Sequence, residues 1–104
     1  MVSSLEPDVR RKIEDFIRGF LSDHELKSHL LKWELMRGDG IVTDIKSAII
    51  GNFHGEVFNE YQNIYKNKYG GRYRLTEEQF NDFNVNFIEW AKRLKNKLDT
   101  MSNV

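Results

Sequence analysis

Apolar side chains recur along most of this chain at steps of three and four residues, the spacing that lays them down one side of an α-helix. In the first segment Val9, Ile13, Phe16, Ile17, Phe20 and Leu21 keep that spacing, and Ser3, Ser4 and Pro7 ahead of them suit a helix start. At Ser22 the pattern shifts. Ser22 and Glu25 are spaced as a capping box, in which each side chain satisfies the other's free backbone N–H. The next stripe, Leu26, Leu30 and Trp33, is rotated by roughly a third of a turn from the first at about 100° per residue, so two helices are expected rather than one rod. Gly38-Asp39-Gly40 closes the second, because glycine accepts the left-handed conformation past a helix end without steric cost.

Thr43 or Asp44 can cap a third segment, which opens with Ile45, Ala48 and Ile49 and continues through Phe53, Val57, Tyr61, Ile64 and Tyr65. Its two groups are out of phase. The slip falls at Gly51-Asn52, which predicts a kink or a short helix followed by a longer one. Gly70-Gly71 ends the segment, and a second capping box, Thr76 to Gln79, launches a last helix carrying Phe80, Phe83, Phe87, Ala91, Leu94 and Leu98, with Trp90 and Met101 adjoining. No strand alternation, internal repeat or low-complexity tract interrupts this order. The reading is all-α: one helical domain over residues 1–104, built as a compact bundle of four to five helices.

Charge and composition narrow what such a bundle does. Sixteen Lys plus Arg balance sixteen Asp plus Glu, so no net field draws the chain onto nucleic acid or an anionic membrane, and such binding has to be local. There is no cysteine, which removes disulfides, thiolate metal sites and a cysteine nucleophile. No apolar run approaches signal-peptide or membrane-spanning length, so the expectation is a soluble, cytoplasmic protein without membrane contact.

The place where local charge stands out is the stretch from Tyr61 to Leu75, which contains no acid. There Lys66, Lys68, Arg72, Tyr73 and Arg74 gather around the glycine pair, a mixture of phosphate-neutralising cations and stacking rings suited to single-stranded nucleic acid. A structural reading stands beside it. Lys66 and Lys68 complement the dipole at a helix C-terminus, and tyrosines at 61, 65 and 69 keep core spacing. The last helix also sorts its charge, with Glu77, Glu78, Asp82 and Glu89 before Lys92, Arg93, Lys95 and Lys97; this fits the helix dipole, and it also fits an antiparallel seam between two copies.

Other chemistry finds little support. His24 and His29 lie five apart and so on different sides of a helix, while His54 stands alone, so no metal or other cofactor is expected. The glycine pairs lack the flanking pattern of a phosphate loop, and Asp44 to Phe53 is too apolar for a recognition helix. No nucleophile–base ordering or isolated carboxylate pair on an apolar face suggests an enzyme. What remains is an apolar surplus: Leu31, Trp33, Leu35 and Met36 surround much of the second helix, and Ile50 and Phe58 lie off the main stripe of the third. The sequence therefore points to a non-enzymatic protein–protein interaction module, a homodimer or a binder of another protein, with Trp33, Met36, Phe58 and Trp90 as anchors. The alternative is a nucleic-acid-binding accessory protein that uses the Lys66 to Arg74 corner.

Overall fold

The computed structural model describes residues 5–101, so Ser3 and Ser4 of the expected helix start lie outside it. Among the described residues the chain is all-α: α1 (Pro7–Phe20), α2 (Asp23–Gly38), α3 (Ile45–Tyr69) and α4 (Glu77–Met101). Each boundary has a local cause. Pro7 opens α1, where its missing N–H costs nothing. The Ser22 hydroxyl accepts the Glu25 N–H at the start of α2, and the Asp44 carboxylate accepts the Ser47 N–H at the start of α3. Thr76 and Gln79 complete a reciprocal box before α4: the threonine oxygen accepts from the Gln79 N–H at 3.1 Å, and the Gln79 side chain accepts from the Thr76 N–H at 2.9 Å.

Glycine acts at the other ends. α2 finishes in a Schellman motif, with Ile41 N–H bonded to the Met36 carbonyl and Gly40 N–H to that of Arg37. Gly40 holds φ of 77° there, and Gly70 holds 117° past the end of α3; both are conformations that side chains resist.

α3 runs unbroken from Ile45 to Tyr69, so of the two alternatives expected around Gly51, a kink or a short helix followed by a longer one, the separate helices do not form. The phase slip fits the packing of the helix. Ile49, Phe53, Val57, Tyr61 and Tyr65 are buried at successive steps of four, and such a ridge winds around an α-helix by about 40° per step. A winding stripe would be wasted on a helix covered from one side. α3 is instead packed by α1, α2 and α4 in turn, and its buried surface rotates from one neighbour to the next.

The core follows from that arrangement. Val9, Ile13, Ile17 and Phe20 of α1, Leu26 of α2, and Phe83, Trp90, Leu94 and Leu98 of α4 close on the α3 ridge. Rings carry the contact across three helices: Phe20 meets Phe53 at 4.7 Å between centroids, Phe53 meets Phe87 at 5.5 Å, and Tyr61 meets Phe83 at 5.1 Å. Among the described residues, no helix is long and apolar enough to cross a membrane.

Gly51 and Gly55 are ordinary interior positions of α3, and a Cβ added at either meets nothing within 4 Å. Gly51→Ala and Gly55→Ala are each expected to stabilise the fold by roughly 0.5–1 kcal/mol, through the backbone entropy that glycine loses on folding. Gly40→Ala is expected to do the opposite because of its positive φ. Urea unfolding midpoints of the three variants check both signs.

Candidate functional site

The corner anticipated from the sequence forms where the end of α3 meets the start of α4, but its five residues do not act alike. Lys68 points back across α3 to the beginning of α1. Its ammonium pairs with Glu6 and, at 3.0 Å, with Asp8. Tyr69 joins the same cluster by donating its hydroxyl to Glu6 at 2.9 Å. Hydrogen bonding to Lys68 holds the Glu6 and Asp8 carboxyls below their usual range, and the two carboxylates raise the lysine in return. Lys68 is therefore a clamp between α1 and α3 and is not free for a partner.

The tyrosines are also largely engaged. Tyr61 and Tyr65 are buried, and the Tyr61 phenol is pushed up to about 12, chiefly by desolvation. Tyr65, Tyr69 and Tyr73 lean on one another, with centroids 4.9 to 6.1 Å apart, so their ring faces are mostly used inside the molecule. Tyr73 is fixed further by donating its hydroxyl to the Gln79 side-chain oxygen at 2.9 Å. That oxygen is the one that caps α4.

Lys66, Arg72 and Arg74 differ from Lys68, because none has an ion pair among the described residues and all three are exposed. Lys66 and Arg74 line an open cleft of about 440 Å³ together with Gln62, Tyr73, Leu75 and Phe80. No acid lines it. Phe80 is the aromatic with a free face there, being 41% exposed with one side against Phe58 at 5.7 Å.

The sorted charges of α4 meet neither expectation in full. Glu77 and Glu78 do occupy its first turn, but its last turn holds no cation. The cations upstream serve as ties. Arg93 grips Glu14 of α1 at 2.8 Å, and Lys97 reaches Asp23 of α2 at 2.9 Å. Asp99 receives Lys46 of α3 at 2.8 Å and Lys95 at 3.0 Å. A charge-matched seam with a second copy would have to compete with these partners.

The proposed anchors also separate. Trp90 is 2% exposed and donates its indole N–H to Glu14 at 3.2 Å, so it belongs to the core and not to a docking surface. Phe58 is half-buried between Phe80 and Phe83. Trp33 and Met36 are half-buried, and Trp33 lies on the core side of α2 with Leu26 and Leu30, opposite the outer face on which Leu31 and Leu35 stand 65% and 66% exposed. The indole N–H of Trp33 is enclosed without an acceptor among the described residues. His29 stacks on Phe20 at 4.6 Å and His54 lies edge-on to Phe83 and Phe87, so both imidazoles serve packing. Sequence patterning missed the Lys68 clamp, because its partners are 62 and 60 positions away.

The clamp has a defined pH window. The lowered carboxyls contribute stability above their ordinary values near 4.5 and 3.8, and this is lost as pH falls through their folded values. Titration of side-chain carboxyl carbon shifts should place Glu6 and Asp8 below those values, and Lys68→Ala should return both toward them. Comparison with known protein families, with characterised proteins and with solved structures finds no match to this chain.

Proposed function

We propose that the chain is a non-enzymatic helical interaction module that pairs with a second copy of itself through the outer face of α2. One observation carries this reading. Leu31 and Leu35 sit one turn apart and are two-thirds exposed, with Ile41 just beyond them at 67%, while Leu26 is the one fully buried residue of α2. A helix that gives the core so little and shows water so much apolar surface has a face that a partner can cover.

A second copy is the occupant that the charge balance favours. Two chains of zero net charge approach without long-range repulsion, whereas a strongly charged partner gains no steering from this one. A chain of this size also bounds its own core, and pairing enlarges it. Trp33 and Met36 lie off this face: Trp33 turns to the opposite, core-facing side of α2 with Leu30, and Lys32, between the two sides, lies over its ring at 4.9 Å. Phe58 and Trp90 take no part.

Magnitudes predict a weak pair. Covering Leu31, Leu35 and Ile41 on both copies returns on the order of 1.5–3 kcal/mol for each side chain fully withdrawn from water. Association costs about 4–15 kcal/mol in lost freedom. The balance corresponds to a dissociation constant in the micromolar range or weaker.

Sedimentation velocity at rising concentration is therefore expected to show a monomer–dimer equilibrium. Leu31→Glu combined with Leu35→Glu should hold the chain monomeric with unchanged helical content. Val85→Glu with Ile88→Glu, on the exposed side of α4, should leave pairing intact. A wild-type chain that stays monomeric up to millimolar concentration would remove the second copy as the occupant.

A further inference from the structure

We infer that the cleft between the end of α3 and the start of α4 binds single-stranded nucleic acid, seating one nucleotide with its phosphate on Lys66 and Arg74 and its base against Phe80. One copy of the chain supplies every lining residue, so the site does not depend on pairing through α2.

The electrostatics come first. The chain is neutral, and many of its cations are spent on internal ion pairs; even in this corner Lys68 is held by Glu6 and Asp8. Lys66 and Arg74 escape that cancellation and face a cleft without an acidic wall. Such a site attracts an anion locally although the molecule as a whole does not. Arg72 stands exposed on the Gly70–Tyr73 turn beside them, where the backbone closes through the Tyr73 N–H and the Gly70 carbonyl, and it extends the cationic track to a neighbouring phosphate.

The shape selects the rest of the ligand. A volume of about 440 Å³ lies within the usual size of small-ligand clefts and is much larger than a bare phosphate requires. Leu75 and the open face of Phe80 supply an apolar wall on which a flat ring can stack. Gln62 lines the same wall with no hydrogen-bond partner among the described residues, which leaves its amide free to donate to and accept from a base edge. A base within a duplex has both faces stacked and cannot reach Phe80, so the cleft discriminates in favour of single strands. The tyrosines that first suggested stacking are occupied with one another, and Phe80 takes that role.

Fluorescence anisotropy with a labelled oligothymidine, a duplex of equal length and free thymidine monophosphate tests the inference. The expected result is binding to the single strand, weaker binding to the duplex, and a log–log salt slope of about −1.4 from two neutralised phosphates. Lys66→Ala combined with Arg74→Ala should reduce the slope by about 0.7, the share of the one phosphate they hold together. Phe80→Leu should leave the slope in place and weaken binding about tenfold, with the helical spectrum confirming the fold. Lys27→Ala, a change at an exposed α2 cation, should alter nothing. Equal affinity for duplex and single strand, a salt-independent affinity, full affinity in Lys66→Ala with Arg74→Ala, or thymidine monophosphate binding as tightly as the strand would each overturn the proposal.

Discussion

The fold depends on α3 offering apolar surface in three directions. A helix covered on one side needs a narrow stripe, but α3 is shared by α1, α2 and α4 and carries a ridge of fours that winds as it rises. Each neighbour then meets a different part of that ridge. Phe20 of α1 and Phe87 of α4 both reach Phe53, while Phe83 reaches Tyr61 further along. Direct packing between the outer helices is sparse by comparison, and charged side chains link α4 to α1 and α2 in its place. The Arg93–Glu14, Lys97–Asp23 and Lys46–Asp99 pairs are exposed or half-exposed, so they fix position more than they add stability.

A second constraint acts at one residue. The Gln79 side-chain oxygen accepts from both the Thr76 N–H and the Tyr73 hydroxyl, and the Gln79 backbone carbonyl accepts from the Tyr61 hydroxyl at 2.9 Å. The residue that caps α4 thereby fixes the connector against α3. Tyr73, Arg74 and Leu75 are held at the height of Lys66 by these bonds, so the cleft wall is a by-product of ending one helix and starting the next.

Much of this was legible in local sequence because helix boundaries are local problems. Ser22, Asp44 and the Thr76–Gln79 pair announce their helices, and Gly40 and Gly70 mark their ends through backbone conformation alone. The sequence left the continuity of α3 open between a kinked helix and a broken one. A phase slip reads as a break only if one face is buried, and the number of neighbours is a property of the whole fold. Trp90 adjoins the α4 stripe in the sequence and reads there as an anchor, but it is buried against Phe83 with its indole N–H donated to Glu14 of α1. The corner was half legible. Its cations and rings were visible at Lys66, Arg72, Tyr73 and Arg74, but what removed Lys68 from the set lay at the far end of the chain.

That distance has a kinetic side. The Gly70–Thr76 connector lets α3 and α4 meet by closing a short loop, whereas Lys68 finds Glu6 only after 62 positions of chain have been gathered. Closure entropy grows by about 0.6 kcal/mol with each doubling of loop length, so the α3–α4 hairpin is the less costly encounter and the return of α1 the more costly one. The corner can thus assemble as a local hairpin before α1 locks it from behind. In the folded chain, the first turn of α1 closes the corner from behind, with Val9 fully buried and Asp8 paired to Lys68.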